Sequence, residues 1–286
     1  MKFALSTNWC NRRIESGEEI ADKAMELGFE ELELGFHTTQ EQVKGFKARL
    51  DRIPVGSVHA FCPVPISAPQ GYPELYLLAD FDEEARKMAQ LQIRRNVKFA
   101  AEMGAKTVVL HAGRVRADGL FSRWWGSDLK RRIARGRKMI GILKRELDAL
   151  VPELEKNKVT LGLENLPYLE GFPAEWEIGE VVGEWVRPWL DTGHDLVRKL
   201  RRWPSDAAEL LPDIPNLQNL PAPIGLHISD SQGADDHLAP GEGRVDFAEL
   251  KSVARGARHL VFEPNPSVTE EDLKKGLAFI KEMWAT

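Results

Sequence analysis

Several features that define other classes of protein are scarce or missing in this chain. Its 286 residues include only two cysteines, Cys10 and Cys62. Two thiols cannot form a disulfide framework, and so low a count is typical of a reducing compartment. The sequence also lacks an amino-terminal apolar segment like that of a signal peptide and any run of about 18 apolar residues. We therefore expect a cytoplasmic protein with no membrane partner.

An excess of positive charge is missing as well, since the formal net charge is −5. This balance argues against a surface that attracts polyanions in general. Basic residues do concentrate between Arg114 and Lys138, a pattern that favours the solvated face of a helix and leaves a local basic patch as the alternative. Length and a hydrophobic fraction of 43% fit one α/β barrel, and no low-complexity linker divides the chain. We expect a single domain over residues 1–286.

Short apolar runs alternate with amphipathic segments along the chain. The predicted strands are Lys2–Ser6, Phe29–Phe36, Pro54–Ala60, Lys106–His111, Val159–Glu164, Arg187–Asp191, Ile224–Ile228 and His259–Glu263. The predicted helices are Ser16–Gly28, Thr39–Leu50, Asp82–Gly104, Ser127–Leu150, Pro173–Gly183, Phe247–Arg255 and Thr269–Trp284. Residues 195–223 are the least readable, with one predicted helix at Ser205–Leu211. Strands apolar enough to be covered on both faces indicate a parallel sheet, so the predicted fold class is α/β, a (β/α)8 or TIM barrel.

Histidines and acids stand where these strands end. Nine such residues are His59, His111, Glu164, Asp191, His194, His227, Asp235, His237 and Glu263. One histidine in such a place is more often a satisfied polar residue than a ligand, but carboxyl ends of barrel strands share one face, where active sites lie. Imidazole and carboxylate without thiolate suit zinc, manganese, magnesium or iron. The pattern therefore predicts a divalent-metal site.

Other residues on the same face are weaker candidates for substrate binding. Trp9 and His37 follow the first two strands and either line a pocket or pack their loops. Trp124 belongs to a Trp-Trp pair that favours a pocket wall or loop packing over a wedge into DNA. Arg244 either binds substrate or is simply exposed. Asp230 is predicted to orient the ring of His227 through a hydrogen bond.

The strand-end motifs resemble those of the xylose isomerase-like barrel superfamily, which includes endonuclease IV, an AP endonuclease, and many sugar or sugar-phosphate isomerases and epimerases. The resemblance covers about two thirds of the chain, from the third strand to the eighth. The motifs are Val58-His59-Ala60, Val109-Leu-His111-Ala-Gly113, Leu163-Glu164-Asn165, Leu190-Asp191-Thr-Gly-His194, Leu226-His227-Ile-Ser-Asp230, Asp235-Asp-His237, Gly241-Glu-Gly243 and Phe262-Glu263.

The two branches of this superfamily imply different chemistry and between one and three metal ions. Resemblance to endonuclease IV implies three sites for cleavage of abasic DNA: His59, His111 and Glu164; Glu164, Asp191, His227 and Glu263; and His194, Asp235 and His237. Resemblance to the isomerases implies one ion, held by Glu164, Asp191, His227 and Glu263. Glu164 and Glu263 would then move a proton through an enediolate as the catalytic pair.

Three functional hypotheses remain open at this stage. The loops at Gly35–Gln40 and Asn165–Glu170 lack features by which the nuclease enters DNA, so we favour a metal-dependent isomerase or epimerase acting on a small sugar-like substrate. A zinc-dependent AP endonuclease acting on abasic DNA is the alternative, supported by the number of potential ligands. A barrel that binds a metabolite without turnover is the third and would leave those ligands idle. The sequence does not decide the oligomeric state.

Overall fold

A computed structural model describes residues 1–115, 125–168, 170–200, 222–234 and 237–285. Eight parallel strands close into a barrel in which the first strand pairs with the last, with Ala4 opposite Val261. Numbered along the chain together with the two strands of a small hairpin, the barrel strands are β1 Ala4–Ser6, β2 Glu31–Leu34, β3 Val55–His59, β4 Thr107–Leu110, β6 Thr160–Glu164, β8 Val186–Asp191, β9 Gly225–Ile228 and β10 His259–Phe262. The predicted (β/α)8 barrel is confirmed. That residues 1–286 form one domain stays a prediction.

Helices alternate with the barrel strands. They are α1 Gly17–Glu26, α2 Gln40–Lys47, α3 Glu83–Glu102, α4 Trp125–Asp148, α5 Val151–Asn157, α6 Glu175–Ile178, α7 Thr192–Leu200, α8 Lys251–Gly256 and α9 Glu270–Ala285. Ser16 caps α1 by accepting the backbone N–H of Glu19 at 3.3 Å, and Thr39 forms a reciprocal capping box with Gln42, so both helices begin at side chains that satisfy N–H groups of the first turn. Within the described residues, no helix is both long enough and apolar enough to cross a membrane.

The structure differs from the sequence-based prediction after β6. Only Glu175–Ile178 is helical, where a helix was predicted over Pro173–Gly183. A two-stranded hairpin, β5 Gly113–Arg114 with β7 Gly171–Phe172, joins the loops after β4 and β6. Pairing between residues nearly sixty positions apart leaves no local periodicity, which is why the sequence does not show it.

Arg131, Arg137 and Lys138 of the basic helix are exposed, as predicted, but one arginine is not. Arg132, in α4, is 1% exposed and donates to the Glu177 carboxylate at 2.7 and 2.8 Å. It also donates to the carbonyl of Gly171 at 2.8 Å. A bidentate, buried pair of this kind fixes geometry. It therefore ties α4 to the hairpin and to α6 rather than facing solvent.

The helix that follows β8 begins at once. α7 starts at Thr192, and the side chain of Asp191 accepts the N–H of His194 at 2.7 Å. A carboxylate there satisfies one of the free N–H groups of the first turn. The helix predicted at Ser205–Leu211 lies outside the described residues.

The amino-terminal end of the barrel carries one buried histidine, His259. Its ring stacks on Trp189 at 5.8 Å, and its Nε2 lies 2.9 Å from Thr107 Oγ1. Gly225 makes room for Trp189, because a Cβ there would lie 2.3 Å from the indole. Burial, aided by the charge of Arg258, lowers the pKa of His259 to about 4.

The folded protein should therefore lose stability in acid because of His259. Between pH 6.5, the ordinary imidazole value, and pH 4, the unfolded chain binds a proton at this site and the folded chain does not. The free energy of unfolding then falls with decreasing pH, by up to about 3 kcal/mol from this group. We expect His259→Gln to show a shallower loss over this window in urea denaturation. A variant whose pH dependence matches that of wild type contradicts this assignment.

Candidate metal centre

Six of the predicted ligand residues stand at the carboxyl end of a barrel strand or directly after it. They are His59 in β3, Glu164 in β6, Asp191 in β8, His227 in β9, His111 after β4 and Glu263 after β10. His194 lies in the first turn of α7, and His237 lies in the loop after β9. Because parallel strands of a closed barrel end on one face, residues more than 200 positions apart meet there.

Four acids and imidazoles form the centre of this face. Glu164, Asp191, His227 and Glu263 each offer a ligand atom within 4.8 Å of the others. All four are buried, with exposed fractions of 2%, 0%, 0% and 7%. His227 Nδ1 lies 3.0 Å from Glu263 Oε2 and 3.4 Å from Glu164 Oε1. The group has the size of one cation site.

Two further groups flank this centre. On one side, the Nε2 atoms of His59 and His111 lie 3.1 and 3.2 Å from Glu164 Oε2. On the other, His194 Nε2 lies 3.1 Å from His237 Nε2, and Asp191 completes the group. Glu164 is therefore shared between the centre and the first flanking group, and Asp191 is shared with the second.

Backbone carbonyls orient three of the imidazoles. The contacts are His59 Nδ1 to the carbonyl of Ala60 at 2.9 Å, His194 Nδ1 to Asn165 at 2.8 Å, and His237 Nδ1 to Glu263 at 3.0 Å. A carbonyl accepts only from a protonated ring nitrogen, so each contact leaves Nε2 as the nitrogen with a lone pair for a metal. Since these Nε2 atoms face the acids or each other, the rings are set for ligation.

The donor set fits a divalent cation. His227 Nδ1 and His111 Nδ1 are buried and make no hydrogen bond, which is rare for polar atoms inside a protein. Nitrogen and carboxylate donors without thiolate suit zinc, manganese, iron or magnesium. A cation among Glu164, Asp191, His227 and Glu263 would satisfy the free Nδ1 atom of His227 and offset the negative charge of three buried carboxylates.

The electrostatics of the group are strongly perturbed. Burial by itself would raise the pKa of Glu164, but the neighbouring His227 and His111 outweigh it and hold that pKa well below its usual value. Burial likewise opposes protonation of His111, yet Glu164 and Glu74 raise its pKa to about 9. His227 has its pKa raised well above normal against burial by Glu263, Glu33 and Glu164. The acids around these rings thus favour positive charge at the place where a cation would bind.

Above the centre lies a cavity of about 340 Å³. His37, His59, His111, Glu164, His194, His237 and Glu263 line it, together with Arg12, Phe36, Tyr72, Glu74, Leu166 and Tyr168. Its volume is at the small end of the range for small-molecule sites. Asp191 and His227 do not line it, so they lie beneath its floor.

Sequence reasoning missed two acids of the site. Glu33 in β2 is fully buried and accepts from Ser57 Oγ at 2.8 Å, with its two oxygens 3.1 and 3.3 Å from His227 Nε2. Glu74, from the proline-rich loop after β3, pairs with Arg114 Nε at 2.7 Å and lies 3.8 Å from His111 Nδ1. An acid inside the apolar run Leu32–Leu34 was the available signal for Glu33. The long loop that carries Glu74 contains no comparable sequence signal.

Another residue of the site contacts one of the two acids predicted to be catalytic. Asn8 is buried after β1, and its Nδ2 donates to Glu263 Oε1 at 3.1 Å. Gly35 leaves room for Asn8, since a Cβ there would lie 2.1 Å from Asn8 Oδ1. This contact fixes the orientation of the Glu263 carboxylate.

The remaining predicted site residues have different positions. His37 lines the cavity, but Trp9 is 3% exposed, donates its indole N–H to the carbonyl of Val268 at 2.8 Å and packs its loop instead. Arg244 is exposed and does not line the cavity. Trp124 and Asp235 lie outside the described residues.

The predicted role of Asp230 is wrong. Its carboxylate does not contact His227 but accepts four backbone N–H groups, those of Ser231, Gly241, Gly243 and Val245, at 2.8 to 3.0 Å. These bonds hold the loop that carries His237. Asp230 lies beyond the strand end, where the loop turns back over it, and so it serves the loop rather than the ring.

Known structures share this architecture. A D-tagatose 3-epimerase-like protein superposes with a TM-score of 0.69 at 24% identity, covering 100% of this chain and 97% of its own. A 3-keto-D-glucoside 4-epimerase from E. coli gives 0.66 at 19% identity, with 99% of each chain covered. The IolI protein with a bound zinc atom gives 0.64 at 14% identity, covering 100% of this chain and 98% of its own. No curated protein sequence matches the chain significantly.

The family model supplies the assignment that these low identities cannot. The model described as xylose isomerase-like TIM barrel matches residues 21–283, which is most of the chain and includes every strand from β2 to β10. The resemblance inferred from the strand-end motifs is thereby confirmed. The chain belongs to the xylose isomerase-like TIM barrel family.

Proposed function

We propose that this protein is a divalent-metal-dependent isomerase or epimerase of a sugar or sugar phosphate. The observation that carries the proposal is the group Glu164, Asp191, His227 and Glu263, whose ligand atoms lie within 4.8 Å of one another beneath a cavity of about 340 Å³. Buried acids in such numbers are costly unless they are paired or bind a cation. Their position under a pocket of small-molecule size favours a catalytic role for that cation.

The same four residues would hold the metal. A cation bound there supplies Lewis acidity, polarising a sugar carbonyl and the neighbouring hydroxyl so that the adjacent carbon-bound hydrogen becomes acidic. Zinc, manganese, magnesium and iron all accept this donor set. The protein contributes fixed ligand orientation, through the carbonyl contacts of the flanking histidines and the Asn8 contact with Glu263.

Glu164 and Glu263 are the proposed proton carriers. They follow β6 and β10, which are separated in the barrel by β8 and β9, so their carboxylates approach the cavity from different sides. One takes a proton from a substrate carbon and the other returns a proton, with an enediolate between the two steps. Both line the cavity, as groups that touch the reacting carbons must.

The cavity suits a compact polyhydroxylated substrate. The histidines and acids of its lining offer hydrogen bonds, and Phe36, Tyr72, Leu166 and Tyr168 supply apolar surface. Sugars are bound by this mixture of ring stacking and polar contacts. Two of the structural neighbours named above are described as epimerases or epimerase-like proteins of sugars, which supports the substrate class. His37, which lines the cavity, is the predicted substrate contact that the geometry supports.

One observation favours a second candidate, the zinc-dependent AP endonuclease. The flanking groups, His59 with His111 and His194 with His237, provide ligand atoms for two more ions next to the centre. Clustered zinc ions can activate a bridging water and neutralise the leaving group of a phosphodiester. In the isomerase those histidines instead contact substrate hydroxyls or orient Glu164.

Metal content and hydrogen exchange distinguish the two proposals. We expect purified protein to hold about one divalent ion per chain, the stoichiometry of a single catalytic site, by elemental analysis. In D₂O it should introduce deuterium at carbon into members of a ketose panel, as mass spectrometry detects. About three zinc ions per chain with cleavage of an abasic duplex would favour the nuclease. Protein that takes up no metal at millimolar concentration rules out both.

A further inference from the structure

Glu33 contacts a proposed ligand without lining the cavity. It lies on β2, a strand from which no ligand was predicted, and its side chain is fully buried. One oxygen accepts from Ser57 Oγ at 2.8 Å, and both lie within 3.3 Å of His227 Nε2. Burial of an unpaired carboxylate costs several kcal/mol of folding free energy. The contacts with Ser57 and His227 therefore indicate that Glu33 has a defined role at this position.

The ring of His227 is oriented opposite to its neighbours. His59, His194 and His237 bind backbone carbonyls through Nδ1 and present Nε2. His227 binds Glu33 through Nε2 and presents Nδ1, which has no hydrogen bond and lies 3.0 Å from Glu263 Oε2. The partner is also different in kind, because Glu33 is an acid while the other three partners are neutral carbonyls.

We propose that Glu33 is a positioning residue that holds the proton of His227 on Nε2 and so makes Nδ1 the atom that ligates the cation. This inference rests on the proposed metal centre. A carboxylate that accepts the second N–H of a ligating imidazole fixes its tautomer and increases its basicity. An amide in the same place would lack the charge and could present its NH₂ group to Nε2, which favours the wrong tautomer.

Glu31 provides a matched control on the same strand. It is two residues from Glu33, its side chain is 22% exposed, and its nearest charged partner is Lys2 at 4.0 Å. It contacts none of the proposed ligands. Glu31→Gln therefore repeats the chemical change of Glu33→Gln on β2 without touching His227.

Zinc binding to metal-free protein tests the proposal by competition with a chromogenic chelator. We expect Glu33→Gln to weaken zinc affinity by about 10- to 100-fold, the usual effect of removing an outer partner of a metal-bound histidine. Glu31→Gln should retain the wild-type affinity. Nitrogen chemical shifts of zinc-loaded wild type should place the His227 proton on Nε2. Equal affinities for the three proteins, or a proton on Nδ1, overturn the role of Glu33.

A second variant, Ser57→Ala, and the zinc binding of wild type complete the test. If Glu33→Gln fails to fold, as judged by circular dichroism, Ser57→Ala replaces it, because that change frees Glu33 from its hydroxyl donor and leaves the charge in place. A severalfold loss of zinc affinity in Ser57→Ala supports the proposal, and no loss contradicts it. Wild type that binds no zinc overturns the metal centre itself, whereas wild type that binds zinc with no effect of either variant overturns Glu33 alone.

Discussion

Replacing Glu263 by glutamine should reduce deuterium incorporation into substrate by about 10²- to 10⁴-fold, the usual contribution of a positioned proton carrier. The amide keeps the size of the side chain and one oxygen for Asn8, whose Nδ2 donates to Glu263 Oε1 at 3.1 Å. It cannot accept a proton from carbon. Isotope exchange followed by mass spectrometry at saturating metal measures the effect directly.

Loss of metal has to be separated from loss of the proton carrier in this variant. Metal content of Glu263→Gln should be determined beside the rate, since Glu263 is also a proposed ligand. Glu282→Gln is the matched control, because Glu282 is exposed on α9, at the far end of the chain. A Glu263→Gln protein that holds its metal and exchanges deuterium at the rate of the control contradicts the proposed role.

Removing the metal should abolish activity and also destabilise the fold. Without a cation, Glu164, Asp191 and Glu263 stay buried around one imidazole, His227, at ligand-atom separations within 4.8 Å. A cation present at about 100 times its dissociation constant stabilises the native state by about 2.7 kcal/mol. For a chain of 286 residues, that corresponds to a fall in Tm of about 4–5 °C on removal. Calorimetry before and after chelation measures it.

Asp191→Asn is a control for the same calorimetry experiment. Asp191 is completely buried and accepts from Ser229 Oγ at 3.0 Å, so the amide can keep part of this network while it removes a charged ligand. Its Tm should respond little to added metal, whereas Glu282→Gln should respond like wild type. Full activity in a chelated sample with no detectable metal would rule out the metal-dependent mechanism.

Much of the site was predictable because the signal is local. His59, Glu164 and Asp191 each end a short apolar run, and in a parallel barrel a strand end determines the face on which the residue lies. The structure brings the described members of the predicted set together on that face. The same logic applies to His259, which begins β10 and therefore lies at the opposite end, buried against Trp189.

Residues that depend on a distant partner could not be found in this way. Asp230 and Glu33 are both acids, so charge alone does not show which of them orients His227. Only the register of β2 beside β3 brings Glu33 and Ser57 to one side of the barrel interior. The sequence predicts Trp9 as a pocket residue, but its indole N–H binds the carbonyl of Val268 in a distant loop. Glu74 reaches His111 from a loop with no periodicity at all.

The amino-acid sequence by itself determined the barrel and most of the proposed ligands, since both depend on a repeated local pattern of an apolar strand followed by an acid or imidazole. Tertiary structure alone decided which ring nitrogen of each histidine faces the metal centre, which acid contacts His227 Nε2, and that Glu74, Tyr72 and Tyr168 line the cavity. These features arise from contacts between segments far apart in the chain. Loop conformation and barrel register set such contacts, and neither leaves a trace in the spacing of residues.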